Sequence, residues 1–227
     1  HLAHTSWFFE RFVLMEHLPS YTPLDDTYLY LFNSYYQQVG ERHCRDQRGY
    51  ISRPTVAEVM AYRSHVDEAM AHLLRTADEA RFADLDPLIT LGLHHEQQHQ
   101  ELLLTDIKHV FSVNPLRPIY RETTVPTAAN ATRPLGWIGF EGGVHEIGHP
   151  SDISAFAYDN EKPRHRQFLE PFELADRLVT NGEYQEFMED GGYREPRLWM
   201  ADGWATAQAQ EWVSPEYWIR DSFGWSV

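Results

Sequence analysis

The chain has 227 residues, of which 42% are hydrophobic, so it is long enough to bury a core in one large domain or two ordinary ones. Its 19 basic and 34 acidic side chains give a formal net charge of −15, which repels nucleic-acid phosphates and anionic lipid surfaces. We therefore expect neither nucleic acid nor a membrane as a partner. The single cysteine, Cys44, excludes an intrachain disulfide, and no apolar stretch approaches the ~20 residues that span a bilayer. Together these features predict a cytoplasmic protein.

Apolar residues recur at helical spacing from the first residue onwards. They predict one helix over residues 2–13 and a second over residues 25–39. A third helix is predicted after Thr55, because Thr55 and Glu58, three residues later, form a capping-box pattern.

A fourth helix is predicted over residues 87–111, since Asn114-Pro115 forbids its continuation. Four helices with one longer connection predict a helix bundle over residues 1–115. Residues 116–133 follow Pro115, contain Pro118 and Pro126 and show no periodic pattern, so they predict a linker.

The composition changes after this linker, because six of the seven tryptophans lie at or beyond Trp137 and glycines become frequent. This shift predicts a second domain over residues 134–227. Within it, residues 136–140 and 144–148 flank Glu141-Gly142-Gly143 and predict a β-hairpin. A further strand is predicted over residues 166–169, and a helix over residues 181–189 capped by Thr180 or Asn181.

The most informative motif lies in the fourth predicted helix, where His95 and His99 are four residues apart and project from the same face. Two imidazoles on one helical turn can bind the same metal ion. A third ligand must come from elsewhere, and His1 and His4 on the first predicted helix each offer an imidazole. Three protein ligands of this kind leave coordination positions open for chemistry.

Two other interpretations of the histidine pair stay open at this point. The string from His95 to His99 matches the H-E-x-x-H pattern of zinc peptidases, in which Glu96 would be the general base. The extended peptidase pattern requires Gly at 102 and His at 105, but the chain has Leu102 and Thr105. Alternatively, both are ordinary helix residues, because the chain contains 13 histidines.

Three stretches together resemble a known family: the opening HLAHTSWFFE, the run from His95 to His109, and YDNEKPRH at residues 158–165. They resemble the ergothioneine-biosynthesis sulfoxide synthases, the EgtB family, across essentially the whole chain. The resemblance implies an α+β protein with a DinB-like four-helix bundle followed by a domain of the formylglycine-generating-enzyme type, a variant of the C-type lectin fold. It also implies that the far end of this second domain, with the family's catalytic tyrosine, lies beyond residue 227.

The same resemblance implies a site for Fe(II) with three histidine ligands, His4, His95 and His99, where His4 rather than His1 corresponds to the family ligand. Gln98 matches a position near the histidine-derived substrate. Arg48 resembles a contact to a substrate carboxylate, for which the planar guanidinium is suited.

The implied reaction forms a carbon–sulfur bond and a sulfoxide from O2, N-α-trimethylhistidine and a cysteine-type thiol, either cysteine or γ-glutamylcysteine. Selenoneine synthase, a counterpart of the same family that accepts a selenosugar, is a close alternative. Two alternatives from other functional classes stay open: a zinc metallopeptidase and a non-catalytic lectin-like binding module. The sequence does not determine the oligomeric state.

Overall fold

The structure is a computed structural model that describes residues 1–122, 133–153, 155–222 and 224–226. The chain divides into two compact units, His1–Tyr120 and Arg121–Val227, each with its own architecture. Most of the predicted linker, residues 123–132, lies outside the described residues. Helices and short antiparallel strands together give an α+β protein, as predicted. None of the described helices is long and apolar enough to cross a membrane.

The first unit opens with a helical segment in three parts. Helix α1 (Leu2–Phe9) continues through a π-helical stretch (Glu10–Leu14) into the short α2 (Met15–His17). The predicted first helix is therefore confirmed and extends four residues beyond its expected end, from 13 to 17. Single π-helical turns of this kind are often found beside functional sites.

The prediction of a long second helix over residues 25–39 is wrong. The segment contains only α3 (Tyr28–Leu31) and a 3₁₀ turn (Gln37–Val39). The reason lies in Asn33, which is fully buried, accepts a hydrogen bond from the backbone N–H of Tyr36 at 3.0 Å and donates to the Tyr36 carbonyl at 2.9 Å. A side chain that closes a turn in this way competes with helix hydrogen bonds and ends α3.

The two long helices of the unit are capped by side chains. Helix α4 (Val56–Thr76) begins at the predicted capping box, in which Thr55 and Glu58 bond to each other's backbone N–H groups. Helix α5 (Glu79–Val113) begins eight residues before the predicted start, because Asp78 accepts a hydrogen bond from the backbone of Arg81 and caps an earlier turn. Pro87, the predicted start, lies inside the helix.

The core of this unit lies where these helices meet. Its buried side chains come from the π-helical stretch, α4 and the first part of α5: Val13, Leu14, Tyr62, Val66, Leu73 and Leu85. Leu88 and Ile89, about two turns before the histidine pair, pack against this cluster. The core therefore fixes the part of α5 that precedes the two histidines.

The second unit contains a two-stranded ribbon instead of the predicted hairpin, so that prediction is wrong. Strand β1 (Trp137–Phe140) pairs with β4 (Phe172–Ala175), and β2 (Gly143–Ile147) pairs with β3 (His165–Leu169). The register continues across the break, so β1 and β2 form one interrupted strand. A β-carbon at Gly142 would lie 2.7 Å from the ring of Pro171. The interruption between β1 and β2 therefore lies close against the segment that joins β3 to β4.

The remaining elements of the second unit are short. Helix α6 (Asn181–Glu189) is confirmed with Thr180 as its cap, whereas α7 (Ala201–Ala209) was not predicted. Strands β5 (Ile219–Asp221) and β6 (Gly224–Ser226) pair with each other.

Candidate metal centre

Three histidines of the first unit converge on one point. His4 on α1 meets His95 and His99 on α5, and one ring nitrogen from each lies within 4.8 Å of the others. The ring centroids are 5.0 Å apart for His4 and His95, 4.8 Å for His4 and His99, and 4.6 Å for His95 and His99. Rings at these distances have room for one ion between them, and the structure thus brings together the three residues expected to be ligands.

The ring of His4 is oriented by the backbone. Its Nδ1 lies 2.7 Å from the carbonyl oxygen of Phe32, and because a carbonyl cannot donate, Nδ1 carries the proton. Nε2 then carries the lone pair, which faces the Ser34 hydroxyl at 3.3 Å and would bind a metal if that hydroxyl turned its proton away. Burial lowers the pKa of His4 to about 4, so the imidazole is neutral at neutral pH.

The ring of His95 has a buried nitrogen that lacks a partner. Its Nδ1 makes no hydrogen bond within the described residues, while the ring of Phe8 packs beside it at a centroid distance of 5.0 Å. Burial also lowers the pKa of His95, which keeps the ring neutral. An unsatisfied buried nitrogen is costly, and a metal ion bound by Nδ1 would relieve that cost.

His99 is held by a chain of hydrogen bonds. The Nε2 of His1 lies 2.8 Å from the carboxylate of Asp106, and the Nδ1 of His1 lies 3.0 Å from the Nδ1 of His99. If the Nε2 of His1 donates to Asp106 and its Nδ1 accepts from His99, the Nε2 of His99 carries the lone pair that can bind a metal. Burial lowers the pKa of His99 to about 4. His1 thus orients a candidate ligand, and sequence reasoning did not find the contact between His1 and Asp106.

The chemistry of this donor set fits a divalent transition metal. Three neutral imidazoles suit Fe, Zn, Cu or Ni, and they leave the charge of the ion undiminished. Because the pKa values of His4 and His99 lie near 4, protons do not compete for these rings above about pH 5. The residues present therefore fit the expected Fe(II) site without selecting iron over the other metals.

The two residues expected to contact substrate, Arg48 and Gln98, have different surroundings. Arg48 donates to the carbonyl of Ser34 at 3.2 Å, and the Ser34 hydroxyl lies 3.2 Å from the Nδ1 of His4. Arg48 is thus linked to a candidate ligand through a single residue. Gln98 precedes His99 on α5 and is exposed, so it is accessible to a ligand in solution.

The glutamate of the peptidase-like motif is already paired. The carboxylate of Glu96 accepts a hydrogen bond at 3.0 Å from the guanidinium of Arg63 on α4. A carboxylate engaged in this way is not free to activate a water molecule, so the geometry gives no support to the peptidase alternative.

Gly92 permits the close approach of the two helices that carry the histidines. A β-carbon at this position would lie 2.6 Å from the ring of Phe9 and 3.0 Å from that of Phe8. Gly92 lies three residues before His95, about one turn along the same helix. The absence of a side chain here therefore sets how near α5 comes to α1.

We expect Gly92→Ala to destabilise the protein by about 1–3 kcal/mol, because the new methyl group must displace two packed rings. Metal affinity should fall as well, since α1 and α5 each supply ligands. Urea unfolding and a metal titration measure the two effects. Gly182→Ala is the matched control, because Gly182 lies in α6 and a β-carbon there would meet only the Thr180 hydroxyl, at an ordinary contact distance of 3.9 Å. Equal free energies of unfolding and equal metal affinities in both variants would show that the close approach of α5 to α1 does not matter for stability or for metal binding.

Comparison with known proteins gives consistent matches. Residues 122–222 match the model of the sulfatase-modifying factor enzyme 1-like domain. The chain is 31% identical over 162 residues to hercynine oxygenase of Mycolicibacterium smegmatis and 27% identical over 156 residues to that of Mycobacterium tuberculosis, covering 70% and 69% of this chain. It is also 33% identical over 88 residues, 37% of this chain, to ergothioneine biosynthesis protein 1 of Schizosaccharomyces pombe.

The matched segment spans only 36% and 34% of the two hercynine oxygenases and 11% of the yeast protein. The chain thus corresponds to about a third of the first two relatives. These matches nevertheless confirm the resemblance to the EgtB family seen in the sequence: over about 70% of its length the chain is similar to the hercynine oxygenases.

Proposed function

We propose that this chain carries the Fe(II) site of an O2-dependent sulfoxide synthase of ergothioneine biosynthesis. The reaction joins a cysteine-type thiol, cysteine or γ-glutamylcysteine, to N-α-trimethylhistidine. The observation that carries the proposal is the convergence of three neutral imidazoles, with the buried Nδ1 of His95 unsatisfied. The relatives named hercynine oxygenase support the same reaction class.

In this proposal His4, His95 and His99 hold the iron, which supplies O2 binding and the redox chemistry. The chain's own residues keep those rings in place. The carbonyl of Phe32 fixes the tautomer of His4, and His1 fixes that of His99. The aromatic wall of Phe8 and Trp7 around the imidazoles excludes water from one side, since Trp7 stacks on His4 with ring centroids 5.5 Å apart.

Substrate binding in the proposal rests on Arg48 and Gln98. The guanidinium of Arg48 would bind the carboxylate of N-α-trimethylhistidine, and its link to His4 through Ser34 supports a location beside the metal. Gln98 would contact the same substrate from α5. We also propose that the first unit is a DinB-like bundle and the second a formylglycine-generating-enzyme-type lectin fold, a proposal supported by the match over residues 122–222.

The test is O2 uptake by the full-length protein, loaded anaerobically with Fe(II). N-α-trimethylhistidine is supplied with cysteine, with γ-glutamylcysteine or with a selenosugar, and the products are identified by mass. We expect O2 uptake and a sulfoxide product with one of the two thiols. Product formation with the selenosugar alone would assign the chain to the selenoneine branch. Metal binding without O2 uptake in any of the three mixtures would contradict the proposed reaction.

A further inference from the structure

Arg63 connects three helices through hydrogen bonds, and the proposed reaction gives this residue no role. Its guanidinium donates to both carboxylate oxygens of Glu96 on α5, from Nη2 at 3.0 Å and from Nη1 at 3.5 Å. The same Nη1 lies 3.3 Å from the hydroxyl of Thr5 on α1. Arg63 itself lies on α4, so one side chain bonds to residues on both helices that carry the three histidines.

The two partners of Arg63 are each adjacent in sequence to a candidate metal ligand. Thr5 follows His4, and Glu96 follows His95. Successive residues of a helix project about 100° apart, so the side that faces Arg63 and the side that faces the metal are distinct but rigidly related. Holding Glu96 therefore fixes the rotation of α5 about its axis, and holding Thr5 does the same for α1.

The surroundings of Arg63, Glu96 and Thr5 favour a single arrangement of their hydrogen bonds. The side chains of Arg63 and Glu96 are 26% and 21% exposed, and Thr5 is buried. Partial burial reduces screening by solvent, and a guanidinium fork with two parallel hydrogen bonds is directional. A second carboxylate, Asp67 on α4, lies 3.8 Å from Nε, beyond hydrogen-bond distance, so Glu96 is the carboxylate that holds the guanidinium.

We propose that Arg63 is a positioning residue for the metal centre, which acts through Glu96 and Thr5 to set the relative placement of His95 and His4. The inference rests on the proposed metal site. It also accounts for the glutamate in the H-E-x-x-H string: Glu96 anchors the ligand helix instead of activating water. The contribution of an ion pair of this kind to overall stability is small, so its effect should be seen mainly in the metal site.

The test is a titration of the metal-free chain with Co(II), followed by the d–d absorption spectrum of the bound ion. We expect Arg63→Met to weaken Co(II) binding by about 10- to 100-fold, the usual effect of removing a residue that orients a ligand. The spectrum should change as well, because the coordination geometry relaxes. Arg63→Lys keeps the charge but loses the fork, and we expect an intermediate loss.

The control variant is Arg11→Met, which breaks the Arg11–Glu16 pair of 2.6 Å in the same unit. Arg11 is also 26% exposed, but its partner does not adjoin a candidate ligand. We expect Co(II) affinity and spectrum to stay as in the wild type. Urea unfolding of each metal-free variant shows whether the fold is intact, and Glu96→Gln replaces Arg63→Met if the latter does not fold.

The double variant Arg63→Met/Glu96→Gln tests whether Arg63 affects metal binding through Glu96. If Arg63 acts through Glu96, the double variant loses no more affinity than Arg63→Met alone. Fully additive losses would overturn that route. Wild-type affinity and spectrum in folded Arg63→Met and Glu96→Gln would overturn the inference but leave the proposed function intact. Failure of the wild type to bind Co(II) or Fe(II) would overturn both.

Discussion

His95→Ala is expected to reduce the affinity of the chain for Fe(II) or Co(II) by about 100-fold or more, a larger effect than that of any orienting residue. The variant removes one of three converging imidazoles and leaves only His4 and His99. The fold should tolerate the change, because the Nδ1 of His95 makes no hydrogen bond within the described part of the chain. A smaller side chain also relieves the cost of burying that nitrogen.

The matched control for this prediction is His94→Ala. His94 is adjacent to His95 on α5 but projects about 100° away, so its removal should leave metal affinity unchanged. Isothermal titration with Co(II) under anaerobic conditions measures both variants, and circular dichroism checks that α5 persists. Equal affinity of His95→Ala and the wild type would show that the three rings do not form one metal centre.

The sequence predicted the parts of the site that depend on local spacing. The positions of His95 and His99 follow from one turn of a single helix, and the capping box at Thr55 follows from contacts three residues apart. Assigning His4 as the third histidine required the family resemblance. Spacing alone left His1 and His4 as equal candidates, because nothing local indicates which imidazole faces α5.

The predictions that failed depend on partners distant in sequence or on turns that compete with helices. Glycines at 142 and 143 suggested a hairpin, but the strands pair with β3 and β4, whose partner residues are 18 (Ile147 and His165) to 38 (Trp137 and Ala175) positions away. The apolar stripe over residues 25–39 suggested a long helix, but the buried side chain of Asn33 closes a turn there. The pairing of Arg63 with Glu96 joins residues 33 positions apart, so no local pattern indicates it.

A buried carboxylate supports the helix that carries His4. Glu10 is fully buried at the start of the π-helical stretch, and its two oxygens each accept a hydrogen bond of 2.5 Å, one from the hydroxyl of Tyr21 and one from that of Tyr62. Burial raises the pKa of both tyrosines, so each hydroxyl keeps the proton that it donates. Hydrogen bonds to a charged group contribute more than neutral ones, about 1.5–3 kcal/mol each.

Glu10→Ala is therefore expected to lower the free energy of unfolding by about 3–5 kcal/mol. The substitution leaves the hydroxyl of Tyr62 buried without its acceptor and opens a cavity beside the core. Glu10→Gln keeps the volume and one acceptor oxygen, and we expect it to lose only about half as much. Urea unfolding of the metal-free chain measures each change.

The control for this prediction is Glu16→Ala on α2, a carboxylate of the same helical segment that is 57% exposed and paired with Arg11. Exposed ion pairs contribute about 0–1 kcal/mol, so this variant should unfold near the wild-type midpoint. A large loss in Glu10→Ala alone would locate the stabilisation in the buried tyrosine–carboxylate group. A loss no greater than that of Glu16→Ala would mean that packing of Val13 and Leu14, and not the carboxylate, keeps α1 and its histidine in place.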